Sequence, residues 1–433
     1  MDPPPDAMPP DADLRPELVV TPTGNGTVTA PGLTCSAVDC RGRYEVDTQV
    51  TVHAELTNGS NLYFAGWGGD CAGILRDCML TMSASRAVTA AFATQTHNLV
   101  FLTSVGYSGD LGGVTAYDQR CNERATAAGI NNAAGTGFIA FISDGTAPNS
   151  IFTRLDFMPG VARHGFIRMD GRPVATRLED EAASLVYNQP SFTEIGTRYA
   201  RDVPQYVWTG TPADGITVVT HCVAWTNPGS AAKVGYMGGG PGLYVEGTDA
   251  PCNVTRPVRC VGVTKNEDLP ALPAVPSGGK IVFVTLTEVQ STANMTQTCV
   301  SEAATPLPGR TFVALRSTTG APASSLVSPT ATYYRPDGVK VGTGAQLVTG
   351  DELDSGIWLR ADGLFVSRTA FAWTGSPAPN VMGTLDTTCQ NWGSTLADPV
   401  HVGAVNDASR WWREEETTQP RCSANHHVYC IEQ

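Results

Sequence analysis

At 433 residues the chain exceeds one ordinary domain and suggests about three, and a hydrophobic content of 42% is ample for packed cores. Charged residues make up only 16%, while 45 Gly and 30 Pro favour turn-rich β domains over helical bundles. A net charge of −13 without any block of Lys or Arg argues against nucleic acid and against an anionic membrane surface, and no apolar run is long enough to span a bilayer.

Residues 1–16, rich in Pro, Asp and Ala, cannot bury enough apolar surface to fold. Such a tail resembles the spacer that follows the lipid-anchored cysteine of a bacterial lipoprotein; a plain unfolded terminus of a secreted protein is the alternative. From 17 to 95 the apolar residues alternate, as in LVVTP, TQVTVHAEL and LYFAGW, so this stretch is expected to form strands and hairpins. The order GNGTVTAP, Cys35, Cys40, FAGWGGDC and MLTMSASRAVTAAF resembles the bacterial repeat domain related to internalin B-repeats. That resemblance implies a small β module acting as a stalk or spacer, with Trp67 in its core.

The segments 97–265 and 280–433 flank a Pro-rich linker, 266–279, and align with each other. LVFLTS matches IVFVTL, the helical run around Cys121 matches that around Cys299, YVWTGT matches FAWTGS, and HCVAW matches TCQNW. The final pair is PVRCVGV with HVYCIEQ, where an edge strand is expected to close each sheet. Semi-rigid linkage predicts that the second copy stands by itself.

The 12 cysteines are even in number and contain no C-x-x-C, against a redox motif or zinc ribbon. Cys121, Cys222, Cys252 and Cys260 repeat the spacing of Cys299, Cys389, Cys422 and Cys430, which signals duplication and full pairing. Disulfides persist in oxidising compartments, so an extracellular or outer-surface location is expected. The arrangement resembles the C-type-lectin-like fold, and within it an endostatin-like family of bacterial exported proteins. YSGDLGG, FISDGT, VWTGT and the terminal R-C-V carry the match in the first copy; FAWTG, CQNW and Y-C-I carry it in the second, which lacks the Gly-Asp-Leu-Gly-Gly stretch. The resemblance implies nested bridges, Cys121–Cys260 with Cys222–Cys252 and Cys299–Cys430 with Cys389–Cys422. Short local bridges, Cys35–Cys40 and Cys71–Cys78, are expected in the first domain. The fold class is thus mostly β with α+β modules: a small β-repeat domain followed by two tandem lectin-like domains.

Enzyme signatures such as H-E-x-x-H, G-x-S-x-G, a P-loop or a Rossmann fingerprint are absent from the sequence, so no catalytic residue, cofactor or metal is assigned. The loops that hold calcium in many lectins have weak counterparts in Asn188-Gln189-Pro190, Trp225-Thr226-Asn227 and Asn406-Asp407. His426 and His427 read as single surface histidines on opposite faces of a terminal strand. Trp225 and Trp392, three residues after a cysteine and beside Asn227 and Asn391, either stack on a sugar face or pack against the bridge. Between the middle cysteines, Tyr236 and Tyr244 of the first copy and Asp407, Trp411 and Trp412 of the second are candidates for ligand contact. The expected function is an extracellular binding or adhesion protein presenting two modules to a glycan or surface protein; the alternative is a spacer or assembly unit without a small ligand.

Overall fold

The computed structural model describes residues 14–433 except 37, 156–162, 178–185, 200–205, 212–219, 241, 243–246, 367–369, 397–398 and 414–419. Of the expected tail, 1–13 lie outside the described residues. The chain forms two compact units. One contains residues 1–95 with 123–136 and 195–197; the other contains the rest.

In the first unit, alternation builds two four-stranded sheets. One runs in the order Cys40–Arg43, Glu17–Thr23, Arg86–Thr94, Leu62–Gly69, and the other Leu33–Ser36, Thr27–Ala30, Gln49–Glu55, Asp77–Thr81. Every second side chain points inward, so Leu18, Val20, Val28, Val50, Val52, Val88 and Phe92 meet in one core. Trp67 joins them and donates its ring N–H to the Leu75 carbonyl at 2.7 Å. Cys35–Cys40 and Cys71–Cys78 are bridged.

The second unit holds both copies, and each builds the same five-stranded sheet. The first runs Phe138–Ala140, Arg259–Gly262, Asn98–Leu102, Phe166–Arg168, Pro173–Ala175. The second runs Phe312–Ala314, Tyr429–Glu432, Lys280–Val284, Thr332–Tyr334, Lys340–Thr343. The last strand of each copy is therefore interior, not an edge: Arg259, Cys260, Val261 and Gly262 are all buried, with a strand paired on either side. A helix covers each sheet. Val114, Tyr117 and Cys121 of Val114–Ala127 are buried at helical spacing, as are Met295, Cys299 and Ala303 of Met295–Ala303. Asn294 caps the second helix by accepting from the Gln297 N–H. The four bridges of this unit are Cys121–Cys260, Cys222–Cys252, Cys299–Cys430 and Cys389–Cys422, and the chain has no free cysteine. Many bridges of this kind fit an extracellular protein. No helix among the described residues is long and apolar enough to cross a membrane.

The two copies are not separate bodies here, because they share a buried seam. Leu102 donates to the Phe192 carbonyl and Val284 to the Leu359 carbonyl, which makes Phe192 and Leu359 equivalent, and with them Val186 and Leu353 six residues earlier. Across the seam, Gln189 Nε2 donates to the Leu353 carbonyl at 2.9 Å and Trp358 Nε1 to the Val186 carbonyl at 2.9 Å. Strand register likewise makes Tyr236 the counterpart of Ala404, since they oppose Tyr206 and Phe371. Three residues further on, Gly239 pairs antiparallel with its own equivalent, Asp407. The Gly240 N–H donates to the Asn406 carbonyl at 2.7 Å, and the Ala408 N–H to the Gly238 carbonyl at 3.0 Å. In this last pairing equivalent groups exchange equivalent bonds, which defines a pseudo-twofold axis, as in an isologous dimer.

Buried charge lines the same seam. Arg168 pairs with Asp170 at 2.7 Å and donates to the Asp354 carbonyl; its counterpart Arg335 pairs with Asp337 at 2.7 Å and reaches the Val186 carbonyl. Arg172 and Lys340, one from each copy, both lie 3.0 Å from the Asp354 carboxylate. Burial pushes that carboxyl upward, but the two cations hold it well below its usual range. Arg198 meets Glu352 at 3.1 Å, and burial still leaves the Glu352 carboxyl above its ordinary value.

Candidate functional site

The two middle bridges each begin at the same unusual backbone element. Cys222, Val223, Ala224 and Trp225 have φ of 53°, 51°, 54° and 63°; Cys389, Gln390, Asn391 and Trp392 have 52°, 57°, 56° and 65°. Each is one turn of left-handed helix, closed by bonds from Trp225 N–H to the His221 carbonyl and from Trp392 N–H to the Thr388 carbonyl. L-residues resist this conformation by about 1–2 kcal/mol each, so the surroundings must impose it. His221 Nδ1 accepts from the Ala224 N–H at 2.8 Å, and Thr388 Oγ1 accepts from the Asn391 N–H at 3.0 Å. The Trp225 ring donates to the Ser143 carbonyl at 2.8 Å and the Trp392 ring to the Ser317 carbonyl at 2.9 Å. A second tryptophan stands edge-on to each at 5.9 Å: Trp208 against Trp225, and Trp373 against Trp392.

This frame settles the two readings of Trp225 and Trp392 in favour of packing, since both are buried. The rings anchor the turns, and the turns lift their tips outward: Val223, Asn227, Gln390 and Asn391 are exposed. Asn391 Oδ1 accepts from the Thr319 N–H at 3.0 Å, and Asn227 Oδ1 from the Gly229 N–H at 2.8 Å.

The other candidates are spent elsewhere. Trp411 and Trp412 are 0% and 1% exposed, packed in one core with Val186, Leu353 and Trp358. Their ring N–H groups donate to the Asp351 and Ser376 carbonyls, so neither ring offers a face to a ligand. Their setting in a polar stretch suggested exposure, but the core of the second copy, which Val186 of the first also joins, buries them. Asp407 is fully buried and accepts from the Ser409 N–H, the Ser409 hydroxyl and the Arg410 guanidinium. Tyr236 is covered by the Arg410 guanidinium, 4.0 Å from its ring centre. The glycines beside it do not make a ligand-facing tip. A Cβ on Gly238 would come within 2.8 Å of Asp407 Oδ1, and one on Gly240 within 2.6 Å of the Trp358 ring, so bare backbone is what lets the copies meet. Asn188 and Gln189 donate to the Pro173 and Leu353 carbonyls. Tyr244 lies outside the described residues. His426 and His427 are buried, not surface residues, with the His426 ring 4.4 Å from Trp373.

Around the turns the copies differ in chemistry. In the first, Asp144 accepts from Asn149 and from the Thr146 N–H and hydroxyl beside His221. Burial works to raise its carboxyl, yet these bonds and the nearby histidine hold it below its ordinary range. Thr318 and Thr388 replace that Asp and His in the second copy, where Thr318 Oγ1 accepts from the Gly320 and Ala321 N–H groups. Sequence reasoning passed over Val223, Gln390 and Asp144; the available signal was the repeated pattern His/Thr-Cys-x-x-Trp.

Residues 17–96 match the family model of the divergent InlB B-repeat domain. No curated protein matches the chain. The match supports reading the first unit as a bacterial repeat module.

Proposed function

We propose that this is a secreted or surface-anchored bacterial binding protein, in which a β-repeat stalk carries two C-type-lectin-like modules toward a glycan or protein ligand. The observation that carries the reading is the pair of left-handed turns. Each is a strained element fixed by a bridge and a buried tryptophan pair, and each holds exposed side chains in a set position. Strain of this kind is kept where it serves a site, and rigid support lowers the entropy cost of binding. The framework is the same in both copies while the residues inside the turn differ, Val223 and Ala224 against Gln390 and Asn391, which fits two subsites of different preference. The seam locks the copies together, so both turns are presented in a fixed relation, a condition for avidity. Binding, not catalysis, is the activity proposed, and no cofactor is invoked.

A glycan array run on the full chain, with calcium and with chelator, tests this. Saturable binding to a defined glycan class is the expected result. Absence of binding, together with concentration-dependent self-association in sedimentation velocity, would favour the structural alternative. That alternative draws support from Val381, Met382, Leu385 and Leu396, all exposed in the second copy.

A further inference from the structure

Strand register fixes which residues of the copies correspond near the turns. Ala140 pairs with Cys260 and Ala314 with Cys430, so Ile142 and Arg316, two residues on, are equivalents. In the first copy the cation near this position is Arg154, and its charge is fully answered. It donates to both oxygens of Asp118 and to the Ala140 and Ile142 carbonyls. Asp118 also accepts from the Ala140 N–H at 2.8 Å; in the second copy Thr296 Oγ1 takes that role for Ala314 at 3.2 Å. The second copy thus has no carboxylate there, and its cation comes from the loop after Phe312–Ala314, whereas Arg154 comes from the helix Ile151–Leu155.

Arg316 has no carboxylate partner among the described residues. Its Nη1 is sealed from solvent without a hydrogen bond, and its guanidinium carbon lies 4.5 Å over the Trp392 ring. Burial alone pulls the group down to about 10, with no neighbouring charge opposing it. A partly buried cation without a counter-charge is costly unless a partner arrives. The side chain is only half-buried, so a partner can reach it from solvent. Three equivalent positions change together: Ile142 to Arg316, Val223 to Gln390 and Ala224 to Asn391. Each exchanges an aliphatic side chain for one with hydrogen-bond donors, and none adds a negative charge. The two amides are exposed on the left-handed turn, which is tied to the segment just after Arg316 by the bonds from Trp392 to Ser317 and from Thr319 to Asn391.

We propose that the second copy binds the carboxylate of an acidic sugar at Arg316, with Gln390 and Asn391 taking the neighbouring hydroxyls. The guanidinium supplies charge-assisted bonds to the carboxylate. Amides, which both donate and accept, suit the hydroxyls beside it. An acidic peptide offers the same carboxylate without the ring of hydroxyls. The first copy, with Arg154 already paired and an aliphatic turn, does not take this ligand.

The inference deepens the binding reading above and rests on it for its biological sense. The test is calorimetric titration of the full chain with sodium glucuronate, with glucose and with N-acetylglutamate amide. Saturable binding of glucuronate, weakened at least about tenfold in Arg316→Gln, is expected. Glucose should not compete. If Arg316→Gln does not fold, Gln390→Ala with Asn391→Ala provides the second arm, with glucuronate binding again weakened. No saturable glucuronate binding, or binding unchanged in these variants, overturns the site; tighter binding of the glutamate derivative overturns the sugar assignment. Array binding that survives Arg316→Gln would remove this site while leaving the binding-protein reading intact.

Discussion

Trp358 joins the two copies by both packing and a hydrogen bond. It is fully buried, donates its ring N–H to the Val186 carbonyl of the other copy, lies under the Arg335 guanidinium at 5.3 Å, and fills the space opposite Gly240. Trp358→Ala removes that packing and leaves a cavity beside buried Arg335. Loss of a buried aromatic costs about 3–5 kcal/mol, which corresponds to a fall of roughly 10 °C in Tm for a cooperative unit of this size. Scanning calorimetry with parallel urea unfolding reads both quantities. The wild-type copies should melt in one transition and the variant either at lower temperature or in two separate steps. A change under about 1 kcal/mol, of the kind surface substitutions produce, would mean that water already occupies the seam and that the copies are independent.

Three further outcomes follow from the same geometry. Trp411→Ala should lower stability by about 3–5 kcal/mol in denaturant titration, because its ring packs against Trp412 and Tyr429 in the core; a surface-like change would restore it as a contact residue. Burial lowers His426 from 6.5 to about 4 and lowers His427 as well. The unfolded chain therefore binds the extra protons between those values, and stability falls as pH drops through that window, by on the order of 3 kcal/mol for His426 if the full shift is realised. Glu352, raised by burial, works in the opposite sense. Tm measured from pH 7 to pH 4 should decline less steeply in His426→Phe than in wild type, and equal slopes would contradict the assignment. Peptide mapping without reductant should recover the six bridges with no free thiol; the bridges spanning 139 and 131 residues should each contribute about 3–5 kcal/mol through the unfolded state, read as the loss in Cys→Ala pairs.

Much of the framework was legible because repeated spacing reports on geometry. Alternation in 17–95 gave the two sheets, and the matched cysteine gaps located the copies, whose helices bury Cys121 and Cys299 as the periodicity implied. The site was harder to read. A left-handed turn at Cys-Val-Ala-Trp has no propensity signal, since none of these residues favours it. Tyr236 and Asp407 are buried where the copies meet, and Trp411 and Trp412 against Tyr429, Asp351 and Ser376 of their own copy, and local polarity says nothing of such distant partners. The triple glycine at 238–240 looked like a flexible tip for the same reason; its role emerges only when Asp407 and Trp358 are seen against it.

The two left-handed turns are the proposed ligand-facing elements, and hydroxyl-radical footprinting of the full chain with and without its best array ligand tests this most directly. Protection concentrated at Val223, Asn227, Gln390 and Asn391, with the buried Trp411 and Trp412 unchanged, is the predicted result. Binding that leaves all four residues as reactive as before, or protects only the exposed Met382 and Leu385 surface, would contradict it.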